Sequence, residues 1–214
     1  KVTAGVCQSN SQATISAGGI FGKVMTNVTI SNIAEWTGTV TFYQQEAISS
    51  NCINFGGFVG WATTPITISN IVSKGDTILS HTKAAAINTT GGSFGGFVGR
   101  CENGATISDC TNIGQTAWTS SNTGSSDACD INLGGIVGRI VEGNSSIANC
   151  HNKGKIVNLH YNNQPWSTSY NTNCSGGIIG SFGAKSSPMG VITITDCTNA
   201  ANISTYRGTI AGIA

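Results

Sequence analysis

Apolar and polar positions along this chain come in short alternating bursts, and the bursts recur in a fixed order. Between Ser93 and Gly114 the order is a double glycine, two apolar residues, another glycine, a turn and a Thr-Ile-Ser triplet, closed by a polar residue and a cysteine. Double glycines begin at Gly18, Gly56, Gly95, Gly134 and Gly176, spaced 38, 39, 39 and 42 residues apart. The residues around them read GGIFG, GGFVG, GGFVG, GGIVG and GGIIG, and the triplets that follow are Thr29-Ile30-Ser31, Thr67-Ile68-Ser69, Thr106-Ile107-Ser108, Ser146-Ile147-Ala148 and Thr193-Ile194-Thr195. Period-2 alternation turns each central Ile inward and its hydroxyl neighbours outward. The next residue, Asn32, Asn70, Asp109, Asn149 or Asp196, suits a left-handed corner. Ile33, Ile71, Cys110, Cys150 or Cys197 then points back into the core.

A weaker strand follows each corner, at Gly38–Val40, Gly75–Ile78, Gly114–Ala117 and Gly154–Ile156. Three short strands per unit, stacked in register, predict an all-β fold: a right-handed β-solenoid (β-helix-like) of about five coils with long inter-repeat loops. At about 4.8 Å per strand the stack rises roughly 20–25 Å. The whole chain, 1–214, reads as one repeat domain with cores at 16–42, 54–78, 93–117, 132–157 and 174–205 and a partial sixth at 207–214. Lys1–Ala17 has two readings, a cap of one or two strands over the open end and an unstructured lead.

The double-glycine cores and the Thr-Ile-Ser-Asn-Cys strands resemble the GLUG-motif repeats of secreted and surface-attached microbial proteins. The likeness covers five blocks, a little over half of the chain. It implies an extracellular repeat domain of the kind found in adhesins and surface proteins, and no catalytic residues. The linking stretches Tyr43–Asn54, Leu79–Ser93, Trp118–Asn132 and Leu159–Asn173 are longer than the likeness leads one to expect.

Only 9% of residues are charged and the formal net charge is +1, so there is no electrostatic footprint for nucleic acid or an anionic membrane. No apolar run approaches the roughly 18 residues that cross a bilayer. With Lys1 in first place, the chain reads as a mature or partial product. Eight cysteines without a zinc spacing favour disulfides and an oxidising compartment. The pairs suggested are Cys7–Cys52, Cys129–Cys174, Cys150–Cys197 and Cys101–Cys110, with Cys110–Cys150 competing. Sequons at Asn27, Asn88, Asn144, Asn173 and Asn202 agree with secretion.

Tyr43, Trp118, Tyr161, Trp166 and Tyr170 fall in the linkers. They either bury the flank of the stack or, with Trp118, Tyr161 and Trp166 foremost, stack on sugar rings. His81, His151 and His160 form no catalytic pattern, and the nine acids are scattered. No enzyme, cofactor or metal site is expected. The outward Thr/Ser columns raise ice binding as a further reading, although outward β-branched residues are also what any strand prefers. Arg207–Ala214 resembles the start of a sixth copy, Gly208–Gly212 matching GGIVG, and stops before its triplet. It reads as truncation or as an assembly edge formed by Arg207, Thr209, Ile210, Ala211, Ile213 and Ala214. The leading expectation is a non-enzymatic extracellular structural protein that self-associates head to tail into a surface fibre or adhesive appendage. A carbohydrate-binding adhesin module is the alternative.

Overall fold

The computed structural model describes residues 2–4, 14–44, 48–50, 52–81, 87–89, 91–120, 130–160, 173–183, 190–205 and 208–213. Cys7, Cys129, Tyr161, Trp166, Tyr170, Arg207 and Ala214 lie outside them. The chain winds as a β-solenoid whose neighbouring coils pair in parallel, residue type over residue type.

Each coil carries four strands where three were predicted. Sheet I holds Thr14–Gly18, Cys52–Gly56, Gly91–Gly95, Asp130–Gly134, Cys174–Gly176 and Thr209–Ala211. Sheet II holds Phe21–Val24, Val59–Ala62, Val98–Asn103, Val137–Glu142 and Ile179–Phe182. Sheet III holds Val28–Trp36, Ile66–Ser73, Ala105–Asn112, then Ser145–Ala148 with His151–Asn152, and Ile192–Thr195 with Thr198–Asn199. Sheet IV holds Val2–Ala4, Val40–Gln44, Thr77–His81, Thr116–Ser120, Ile156–His160 and Ile203–Thr205. Val2–Ala4 pairs with Val40–Phe42 and so lies over the first coil on one sheet, as a capping strand does. Ile15 belongs to the first coil itself, paired with Ile53.

Sheet III follows the sequence closely. Its corner residues Asn32, Asn70, Asp109, Asn149 and Asp196 all sit in the left-handed region, with φ of 59°, 55°, 53°, 49° and 52°. That single reversal keeps Ile68 and Ile71, or Ile107 and Cys110, on the same inner side although three residues separate them. An unbroken strand would have put one of each pair in solvent.

Sheet I is the strand the repeat pattern concealed. Its members are the residues just before the double glycine, which read as linker because they lack alternation. They lack it because both faces are covered: every residue from Gly91 to Gly95 is buried. One face carries Phe55, Phe94, Ile131 and Leu133 against Phe42, Leu79, Trp118 and Ile156 of sheet IV. The other lies on sheet II backbone to backbone. A Cβ on Gly99 would stand 2.7 Å from both N and O of Phe55, and one on Gly138 would stand 2.7 Å from O of Phe94. The third glycine of the GG-apolar-apolar-G core is therefore what lets the two sheets approach backbone to backbone at that point.

This contact divides the interior into two lobes. Phe58, Phe97, Val98, Ile107, Cys110, Ile136, Ile147 and Cys150 fill the lobe between sheets II and III; the aromatic-rich set above fills the lobe between I and IV. Phe58 and Phe97 stack at 4.9 Å and 13°, while Phe94 meets the edge of Trp118 at 5.0 Å and 89°. An amide ladder runs beside the second glycine of the last three pairs, Gly96, Gly135 and Gly177. Asn112 Nδ2 donates to Asn152 Oδ1 at 3.0 Å and to Gly114 O at 2.9 Å; Asn152 Nδ2 donates to Asn199 Oδ1 at 2.8 Å and to Gly154 O at 3.0 Å.

Three substitutions test this account by thermal or denaturant unfolding. Gly99→Ala forces sheets I and II apart and is expected to cost about 1–3 kcal/mol, as overpacking does. Gly212→Ala, where an added Cβ meets nothing within 4 Å, is expected to leave stability unchanged. Asn152→Ala strands buried amide partners in the coils on both sides, and an expected loss of about 1–3 kcal/mol follows.

Candidate interaction surfaces

The columns that are closed inside the stack open at its ends. Ile20 continues the column of Phe58, Phe97, Ile136 and Ile178, as the backbone hydrogen bonds from coil to coil show. The four inner members have 0% exposure, whereas Ile20 has 40%. Phe21 heads the column of Val59, Val98, Val137 and Ile179 and is 37% exposed, with Met25 beside it at 72%. At the opposite end Ile210 is 51% and Val191 70% exposed, and Ile192, Ile194 and Cys197 are only half-buried.

The predicted assembly segment lies at that second end. Thr209, Ile210 and Ala211 pair with Cys174, Ser175 and Gly176, forming the first strand of a sixth layer. Its register corrects the sequence alignment. Ala211 and Gly212 occupy the double-glycine places, because Gly177 N donates to Ala211 O and both Ile178 N and Ile179 N donate to Ile213 O. Gly208 aligned with the wrong glycine because the strand ahead of the pair was not recognised as part of the coil.

Sheet III presents the outward hydroxyls in two columns. Thr29, Thr67, Thr106, Ser146 and Thr193 form one, and Ser31, Ser69, Ser108, Ala148 and Thr195 the other. Six of the ten are exposed and the remainder half-buried. Past the corner, His151 joins two coils, with Nδ1 2.9 Å from Thr198 Oγ1 and Nε2 3.1 Å from Asn149 Oδ1. Sheet II carries a different column, Lys23, Trp61, Arg100 and Arg139, in which Lys23 Nζ lies 4.0 Å above the Trp61 ring. Among the described residues no group of three His, Cys, Asp or Glu is placed to hold a metal ion.

Several sequence expectations change here. Of the two readings of Trp118, burial against the stack and stacking on sugar, the structure gives burial: it has 0% exposure and is among the largest buried side chains. Its strand on sheet IV turns it into the lobe against Phe94. Asn173 is 6% exposed, its Oδ1 accepting from Ile131 N at 3.3 Å, so the folded chain does not offer it as a glycan acceptor. Asn27, Asn144 and Asn202 are exposed, and Asn144 Oδ1 accepts from Val191 N at 3.0 Å. Asn88 lies on Ile87–Thr89, which pairs with Ile48–Ser50, and its side chain is outside the described residues.

The predicted bonds Cys101–Cys110, Cys150–Cys197 and Cys110–Cys150 are not formed; all four residues are free thiols. Cys110, Cys150 and Cys197 continue the Ile33–Ile71 column, and each Sγ faces the carbonyl two residues earlier, at 3.1, 3.3 and 3.2 Å. In-register strands hold their Cβ atoms about 4.8 Å apart, beyond the roughly 3.5–4.5 Å a disulfide spans. Cys101 belongs to sheet II and faces Gly104 O at 2.9 Å. Cys52 and Cys174 both stand just ahead of a double glycine but occupy different columns, Cys52 level with Thr14 and Cys174 with Asn132. The partners suggested for them, Cys7 and Cys129, are outside the described residues.

Among known families, the GLUG motif matches residues 130–157. That segment is a GLUG repeat. The matched segment is one coil of the stack, from the sheet I strand Asp130–Gly134 through sheets II and III to the start of Ile156–His160. A GLUG repeat is thus one storey without its loop. No curated protein and no solved structure matches the chain. Among the described residues no helix is long and apolar enough to cross a membrane.

The thiols provide a pH test. Burial pushes Cys101 from 9.0 up to about 12. Cys150 is also raised, first by its hydrogen bond with the Cys110 thiol, and Cys197 is raised by burial. A raised thiol is neutral in the fold and ionises more readily once unfolded, so its contribution is complete below pH 9.0 and is lost as pH climbs toward 12. Chemical denaturation is expected to show falling stability above about pH 9, and Cys101→Ala is expected to flatten that slope.

Proposed function

We propose that this protein is a secreted, non-enzymatic structural subunit that stacks end to end into a surface fibre or adhesive appendage. What supports the reading is the contrast between one column and its own end. Phe58, Phe97, Ile136 and Ile178 are sealed by the coils above and below, while Ile20 at the end of that column stands open; at the other end of the stack Ile210, next in the sheet I column after Leu133 and Ser175, stands open as well. A repeat stack is complementary to itself by construction. The last layer of one copy presents the strand edges and apolar corners that the first layer of another would cover. Such a contact is head to tail, and one that does not close generates a filament. Unpaired parallel edges supply the backbone hydrogen bonds.

The stiffness of such a fibre comes from the columns of the subunit: the Ile ladder through all five coils, the amide ladder through the last three and the aromatic contacts of the first three. Exposed Asn27, Asn144 and Asn202 are the glycan acceptors best placed on this rod. Glycans there add the solubility that a chain with 9% charged residues lacks.

Electron microscopy of the purified 214-residue chain is expected to show rods longer than one subunit. Ile210→Lys places a charge on the stacking edge and is expected to leave single particles, as is deletion of Arg207–Ala214. Phe21→Lys is expected to do the same from the opposite end. Single particles from the unaltered chain at every concentration, or rods of unchanged length from all three variants, would end the proposal.

A further inference from the structure

The hydroxyl columns of sheet III carry an inference that does not depend on end-to-end assembly. We propose that this face is a docking surface for ice, held by the two-dimensional array of Thr29, Thr67, Thr106, Ser146 and Thr193 beside Ser31, Ser69, Ser108 and Thr195.

Periodicity argues first. The two columns stay in register through all five coils, with Thr over Thr and Ser over Ser in the first three. Neighbouring coils set one repeat at about 4.8 Å, and alternate residues along a strand set the other at roughly 6.6 Å. A flexible peptide or a fluid lipid surface has no use for an array that repeats in two directions. A solid does.

Rigidity comes next. Behind the array stand Ile30, Ile68, Ile107 and Ile147, each at most 7% exposed, and this inner ladder anchors the sheet to the core. Thr is stiff at χ1, so its hydroxyl and methyl keep fixed places on a strand. A lattice of waters can be held on such a surface without the entropy cost that mobile Lys or Gln side chains would carry.

Chemistry then selects among solids. A mineral face is ionic and calls for rows of charged side chains; the ten positions include no Lys, Arg, Asp or Glu. A crystalline polysaccharide is gripped by aromatic platforms, and the ten include no Phe, Tyr or Trp. The protein does possess charged and aromatic columns, but on sheet II, at Lys23, Trp61, Arg100 and Arg139. What remains for sheet III is a neutral, ordered partner able to both donate to and accept from hydroxyls, which describes frozen water. Ala148 interrupts the array at one place and leaves its methyl side intact.

Freezing hysteresis and ice-recrystallisation assays on the full chain test the proposal, with Thr106→Lys and Thr67→Lys on the face and Leu159→Lys, exposed on sheet IV, as the charge-matched control. Circular dichroism and melting temperature establish that each variant is folded. The unaltered chain and Leu159→Lys are expected to give hysteresis, and both Thr variants to lose it. No hysteresis from the unaltered chain overturns the inference, as does hysteresis that survives in the folded Thr variants. Should the Lys variants not fold, the unaltered chain decides the matter alone. Filaments without hysteresis would remove this inference and leave end-to-end assembly standing; hysteresis from single particles would do the reverse.

Discussion

Sheets I and II meet backbone to backbone at the third glycine of the core, and much of the architecture follows from that contact. At Gly99 and Gly138 the third glycine of the core lies on the backbone of Phe55 and Phe94 in the coil before, closer than any Cβ allows. At Gly95 the chain reverses so tightly that a side chain would run into the Val98 carbonyl. Two sheets in such contact cannot enclose a core, so each must find one on its other side. Sheet I packs on IV and sheet II on III. The two-lobed section is a consequence of glycine spacing, and the apolar residues only fill the spaces it leaves.

Register then converts a local rule into a long-range one. Because each residue stands over its equivalent, a favourable side chain is repeated into a ladder and an unfavourable one is repeated as well. This accounts for the buried Asn112, Asn152 and Asn199. A single buried amide is costly, but a stack of them satisfies neighbours above and below while each caps a backbone carbonyl of its own turn. Contacts reach only the adjacent coil, so stability is a sum over interfaces and the end interfaces are the ones left open.

The parts legible from sequence were those where one face is wet. Thr106-Ile107-Ser108 alternates because sheet III has solvent on one side, and Asp109 announced a corner because few residues tolerate its φ of 53°. Where both faces are dry, alternation disappears. Gly91–Gly95 therefore passed as linker, and the error moved the sixth copy out of register; Trp118 fell in a linker because the strand read as Gly114–Ala117 runs on to Ser120. The amide ladder escaped for a related reason. Asn152 follows His151 in what reads as a polar turn, and nothing in one copy says that its amide has a partner in the next. The columns recorded that information, but only once the strand ahead of the double glycine was counted within the coil.

The cysteines call for the opposite correction. An even number in a Thr- and Asn-rich repeat suggested sulfur bridges, and from the bridges an oxidising compartment. In the fold, Cys110, Cys150 and Cys197 take places that Ile33 and Ile71 fill in earlier coils, so cysteine serves there as a small apolar residue with a weak donor directed at a carbonyl. In-register stacking itself keeps these thiols apart, since parallel Cβ vectors one strand apart do not converge. The cysteine count therefore stops being an argument about where the protein lives. That argument passes to the GLUG motif at residues 130–157, a motif typical of extracellular proteins.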